Sequence, residues 1–477
     1  MKKNNAFRRA AALMAALSIT VSLAAPAFAD TYYIDYGDIT ITKNEDGSQT
    51  IEQGGDKWTD KAGEETVITT SNTVITTLES DLEGPAAEDS DFGPVVEDNY
   101  QSAQPEDAEK PEGADQPESA EEPKSADRQE SADQQAAPAA APADTTPVNP
   151  KDDGFWGNTI TVINNIADKV LNLTLKDVKI DVSDTGDQYD WDQKGKAALS
   201  VQGKGNVEIE LDGNNELKSG TQSAGLEKTS TGTLTLKDDN NEAGSLTATG
   251  GFNSAGIGGG REGKGENITI TGGTVNATGN EDGAGIGGGS SGSGENITIN
   301  DGKVTATGGN YAAGIGGGSV GAWGGDAGSG KNITITGGTV NATGTDGGAG
   351  IGGGGAAASD IELWGSNGGN GEDITINGGN VTAHGGINRY ENQPLYAIPG
   401  NGIGPLEGGS ITINGGTVKA SSEGDGFGIG GAGVHHTAEM HITINGGTIE
   451  TTANRNNAAI CLLYTSDAAD EARSGDL

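Results

Sequence analysis

Five aspartates crowd into the run DVSDTGDQYDWDQ from Asp181, the densest carboxylate cluster of the repetitive half of the chain, and Asp184, Asp187, Asp190 and Asp192 are the four that could offer oxygens to one ion. Carboxylate oxygens are what Ca2+ takes as ligands, about six to eight at a time. The run is therefore a candidate calcium site, although its spacing is not that of an EF-hand; the alternative is a solvated acidic turn. Trp323 lies in SVGAWGGDAGSGK after Gly318, and Trp364 in GAAASDIELWGSNGGNGED after Gly354. An indole combines apolar area with a polar tip and suits stacking on a sugar ring. The two segments interrupt successive repeats at the same place, so the rings are expected to project from one edge, unless each folds back over its own loop. A third insertion, Gly385 to Gly404, carries Arg389, Tyr390 and Tyr396 and is placed either to flank a groove or to pack as a surface loop. His435, His436 and His441 lack a fixed zinc-ligand spacing and read as loop residues.

Catalysis on a polysaccharide would need more. A hydrolase needs paired carboxylates flanking the scissile bond, and a lyase needs a Lys or Arg base beside calcium-binding carboxylates. Neither set recurs on one outward face, and Arg261, Lys264, Lys303, Lys331 and Lys419 are scattered. The expected function is thus non-catalytic recognition of a polysaccharide. The alternatives are a polysaccharide lyase-type enzyme and a structural surface fibre without a specific ligand.

The elements that must position these residues come from a repeat. One unit reads ENITITGGTVNATGNEDGAGIGGGSSGSG from Glu266, and Ile268 recurs as Ile297 after 29 residues, then as Ile333, Ile374, Ile411 and Ile442. Side chains alternate along a strand. In ITI the isoleucines share a side; in TVNAT the valine and alanine do; in AGIGGG the alanine and isoleucine do. A propeller blade needs four strands in about 40 residues, whereas three short strands in 29 residues fit one triangular coil. Coils of this kind bury their apolar sides only by stacking. The fold class is therefore all-β, a right-handed parallel β-helix (a solenoid) over 151–460, its hand following the crossover rule for parallel strands. Three apolar columns are expected. One holds the isoleucines just named. A second holds Val275, Val304, Val340, Val381, Val418 and Ile449; the third holds Ile257, Ile286, Ile315, Ile351, Ile403 and Ile429. Glycine pairs such as Gly272-Gly273 mark corners, where positive φ is needed, and the GIGGG runs would let coils approach closely. No Lys-Ser/Thr follows those runs, so they are not phosphate loops. The outward threonines of ITI, Thr269 to Thr443, make a regular ladder that matches an ordered polymer surface or simply reflects strand preference.

Outside the repeats the chain divides by composition. Residues 1–29 carry Lys2, Lys3, Arg8 and Arg9, an apolar stretch, and Ala27-Phe28-Ala29, the pattern of a cleaved secretory signal. Localisation is then secreted or cell-surface, as in a Gram-positive bacterium, with no membrane insertion after cleavage. Residues 30–79 form a short β segment, a cap or first coil. Residues 80–150, rich in Pro, Ala and Glu, are too polar to repay ordering and are expected to be a disordered acidic linker. CLLYTSDAADE, from Cys461, resembles the translation of a transposon-type sequencing adaptor, so 461–477 is read as not native and the chain's one cysteine with it. A net charge of −41 argues against nucleic acid, whose affinity rests on Lys and Arg. It argues equally against anionic membranes.

The strings NLTLKDVKID, NVEIELDGNNELKSG, SAGIGGG and ITINGGTVNATG resemble a family of secreted clostridial proteins described as carrying a carbohydrate-binding domain of right-handed β-helix form. The resemblance covers roughly Asn158 to Ile460, and more loosely Asp30 to Leu78; the long acidic spacer between them departs from it. It implies an extracellular adhesin for plant cell-wall polysaccharides such as cellulose or pectin, with bound calcium in some members. The shared motifs are core and corner residues, so no binding residue carries over from the family to a position here.

Overall fold

The computed structural model describes residues 30–70, 154–240, 242–320, 325–355, 368–386, 400–404, 409–423, 426–431, 440–453 and 459–461. The proposed signal, the linker 80–150, Trp323, Trp364, Arg389, Tyr390, Tyr396, His435 and His436 lie outside them. Each regular coil supplies three strands. In one coil these are Gly265–Ile270, Thr274–Thr278 and Ile286–Gly287. Each pairs in parallel with the equivalent strand of the next coil, Gly294–Ile299, Lys303–Thr307 and Ile315–Gly316. The first two kinds merge into one 20-stranded sheet; the third builds a 13-stranded sheet. Among the described residues there is no α-helix, and none long and apolar enough to cross a membrane. This is the arrangement of the right-handed parallel β-helix expected from the sequence.

The three apolar columns are present in register. Ile268 pairs with Ile297 and Ile297 with Ile333; Val275 pairs with Val304 and Val304 with Val340; Ile257 pairs with Ile286 and Ile286 with Ile315. All of these side chains are fully buried. Each contributes about 1.5–3 kcal/mol by leaving water, and the columns join into one continuous core. Corners follow from backbone geometry: Gly273 has φ +77° and Gly302, which fills the same corner, +94°. Another corner uses asparagine. Asn267, Asn296 and Asn332 hold φ near +55°, a left-handed conformation that asparagine tolerates better than most residues because its side chain bonds locally.

The earlier coils are less regular. Strand Asn206–Lys218 runs unbroken round a corner: Asn206 to Asp212 pair with Val170–Lys176, and Glu216 to Lys218 pair with Lys179–Asp181. At the far end Ile444 and Ile460 are exposed, with no described strand over them. There the third column continues from Ile429 to Ile460, but the position after it, glycine in every coil from Gly258 to Gly430, becomes Cys461.

Residues 30–70 join this stack directly. Asp30–Tyr33 pairs with Thr66–Thr69, which pairs with Val170–Lys176, and Ile39–Lys43 pairs with Ile160–Asn164. An antiparallel addition, Gln49–Gln53 then Asp56–Asp60, closes the edge of the smaller sheet. Its last residue, Asp60, is fully buried and accepts hydrogen bonds from the Tyr32 hydroxyl at 2.7 Å and from the Thr66 hydroxyl. Burial outweighs those bonds and lifts the Asp60 carboxyl from its ordinary 3.8 to about 6. An acid whose folded-state value is raised stabilises the fold fully below its unfolded value and loses that contribution as pH rises through the folded one. The cap is therefore expected to weaken between pH 4 and pH 7, by up to about 3 kcal/mol at about 1.4 kcal/mol per unit. Thermal melts across that range check this. Asp60→Asn should flatten the profile; an unchanged slope would refute the assignment to Asp60.

Candidate functional site

The acidic run lies in the loop between strands Lys179–Asp181 and Leu199–Gly203. Its carboxylates fold it. Asp187 Oδ1 accepts from the Tyr189 amide at 2.8 Å, Asp190 Oδ1 from the Asp192 amide at 3.2 Å, and Asp190 Oδ2 from Gln193 Nε2 at 2.7 Å. Main-chain bonds from the amides of Asp187 to Gln193 O and of Gln193 to Asp190 O, each 3.0 Å, tighten the turn. The loop is tied to the next coil by Gly195 N donating to Thr221 O at 2.8 Å. Asp184, Asp187, Asp190 and Asp192 thus share one loop, but no group of three or more potential metal-ligating side chains forms among the described residues.

The loop also presents aromatic rings. Tyr189 is 85 % exposed and Trp191 46 %, the only exposed aromatic rings among the described residues. Two neighbouring segments hold Trp191. The Arg261 guanidinium stacks 3.8 Å from the centre of its ring, and Gln222 Nε2 donates to its carbonyl at 3.3 Å. The Arg261 amide in turn donates to Gln222 O at 3.2 Å. A cation held over a ring face is attracted by the ring's quadrupole, so the indole is pinned on one side. Lys194 pairs with the buried Glu227 at 2.9 Å beside it. The outcome is a Trp191 ring held in place with the exposed Tyr189 two residues before it, among hydrogen-bonding groups, suited to a ligand with one apolar face and a polar rim.

Sequence reasoning placed the aromatic platform on Trp323 and Trp364 and took the aspartates as the functional groups of this loop. The signal that pointed to Tyr189 and Trp191 was present: two aromatic residues inside a very polar run. What holds Trp191 is Arg261, which is 70 residues away in the chain and reaches it only because the coils stack.

A second concavity, of about 520 Å3, runs across four coils and is lined by Asn310, Thr345, Asp346, His384, Gly386 and Glu423 among others. His384 Nδ1 lies 2.8 Å from the Ser421 hydroxyl, and Nε2 lies 3.4 Å from a Glu423 oxygen. Gly386, the last described residue before the segment that bears Tyr390 and Tyr396, is among the lining residues. His441, the remaining sequence candidate, sits on strand Met440–Ile444 opposite Ser410.

Six segments of the chain, 242–261, 268–290, 297–319, 333–355, 374–405 and 411–433, match the family described as Beta helix repeat. The fold is a parallel β-helix, and these segments are similar to repeats of that kind. The matched segments coincide with the regular coils, and the Tyr189–Trp191 loop lies before the first of them. Neither a curated protein nor a solved structure matches the chain.

Proposed function

We propose that this β-helix protein is a non-catalytic, extracellular polysaccharide-binding protein that takes neutral glycans of the plant cell wall. The observation that carries the reading is the exposed Tyr189–Trp191 pair with Trp191 stacked on Arg261. Exposing such rings forgoes apolar burial worth about 25 cal/mol per Å2, and a loop this tightly hydrogen-bonded keeps them ready. A pyranose has C–H groups on one face, for the rings, and hydroxyls on its edge, for the carboxylate and amide groups of the loop. The net charge of −41 repels anionic polymers, which favours neutral chains over uronates. Export rests on the N-terminal signal pattern.

Isothermal titration of the purified chain with soluble plant β-glucan oligosaccharides tests the reading. Trp191→Ala should weaken binding at least about tenfold, about 1.4 kcal/mol, and Tyr189→Ala should add to the loss. Binding equal to wild type in a folded Trp191→Ala variant would remove the platform. Release of shortened products on incubation would support the lyase-type alternative instead.

A further inference from the structure

We infer that the outward face of the Ile-Thr-Ile strands binds the packed surface of a neutral polysaccharide, across many parallel chains at once. This rests on the proposed glycan-binding function and gives it a second, separate surface. The face is a lattice. One threonine column runs in unbroken register from Thr235 through Thr298 and Thr334 to Thr443. Two residues further along each strand comes a second column, Thr271, Asn300, Thr336, Asn377, Asn414 and Asn445. Neighbouring coils stand about 4.8 Å apart, and residues two apart along a strand about 6.7 Å, so hydroxyls and amides recur on a fixed grid.

Three properties of the grid point to this ligand. From Thr269 to Thr443 and from Thr271 to Asn445 the two columns carry no charge, in a chain whose net charge is −41; only the coil of Thr235 places a charge there, Lys237. Charged residues stand at the border, where Lys264 pairs with Glu295 at 3.2 Å and Lys331 with Glu372 at 3.4 Å. Secondly, the groups are already ordered. Asn414 Nδ2 donates to Asn377 Oδ1 and Asn445 Nδ2 to Asn414 Oδ1, both at 2.7 Å, and Thr336 Oγ1 donates to Asn300 Oδ1 at 2.9 Å. Threonine is stiff at χ1, so little side-chain entropy is lost on contact. Thirdly, each contact is weak, so the face works by number. A free chain must be straightened to meet many grid points, and that cost cancels the gain. Chains already aligned in a solid are straight, and successive contacts then behave as linked binding events.

The test uses one chemistry in two states: microcrystalline cellulose for the packed surface and cellohexaose for the single chain, with the full chain in both. The double variant Thr298→Lys/Thr334→Lys should lose at least tenfold in depletion by microcrystalline cellulose while its cellohexaose titration stays at the wild-type value. Thr298→Val/Thr334→Val keeps the strand preference and shape and should lose in the same direction, so a lysine pair that fails to fold does not end the test. Wild-type cellulose depletion in either folded variant overturns the inference. So does a wild-type chain that binds cellohexaose but not microcrystalline cellulose; in that case the loop reading survives. A chain that binds neither overturns both.

Discussion

Gly287→Val is expected to lower the stability of the stack by about 4 kcal/mol or more, and to open the coils around it to protease. The position has φ +139°, and a Cβ there would lie 2.0 Å from the Gly316 carbonyl oxygen of the next coil. Backbone in that region costs a side-chain-bearing residue about 1–3 kcal/mol. Forcing extra atoms against a packed neighbour costs about 1–3 kcal/mol again. Neither term can relax, because Gly316 meets Gly352 in the same way, with 2.0 Å between its own would-be Cβ and the Gly352 oxygen. Chemical denaturation followed by circular dichroism measures the loss. Gly157→Ala is the control: nothing stands within 4 Å of its would-be Cβ, so a change within about 0.5 kcal/mol is expected. Equal stability of the Gly287 variant would mean that the coils do not approach as closely as the glycine column requires.

Asn215→Leu should cost about 3 kcal/mol, although leucine is close in size and the site is fully buried. The side chain points inward where strand Asn206–Lys218 turns its corner. Asn215 Oδ1 accepts from the Val178 amide at 2.9 Å, and Nδ2 lies 3.0 Å from Asp212 O, 3.1 Å from Ser245 O and 3.2 Å from Leu175 O. Leucine satisfies none of these, and a buried backbone group left without a partner costs about 1–3 kcal/mol. The effect should reach function, because the Tyr189–Trp191 loop springs from Lys179–Asp181, which pairs with this strand. Urea denaturation of the variant measures the first expectation and oligosaccharide titration the second. A neutral result in urea would show that water replaces the amide at this corner.

The two substitutions probe two places in a coil: the close glycine edge of the third strand, and the corner that leads into the second. Regular coils turn on a glycine such as Gly273, whose missing side chain leaves nothing to satisfy. The older-looking coil has a glycine at the same register, Gly213 with φ +62°, and adds two residues later a buried amide that serves four backbone groups. The glycine is local in sequence and was legible; the asparagine depends on partners from two other strands, Leu175 and Ser245, and on Val178 between strands.

That difference marks what the amino-acid sequence determined by itself. Apolar residues two apart, repeated after 29 residues between Ile268 and Ile297, dictate strands that bury one side. Equal repeats force equal strands to pair in register, because any slip would turn Thr298 inward and Ile297 out. The three columns and the close glycine edge follow from that alone. The tertiary structure decided which side chains stand beside which across the stack. Arg261 stacks on Trp191, and Asp187 and Asp190 accept hydrogen bonds from within their own loop. Those are contacts between irregular segments, which no period specifies; they exist only once stacking has brought distant parts of the chain within a few ångströms.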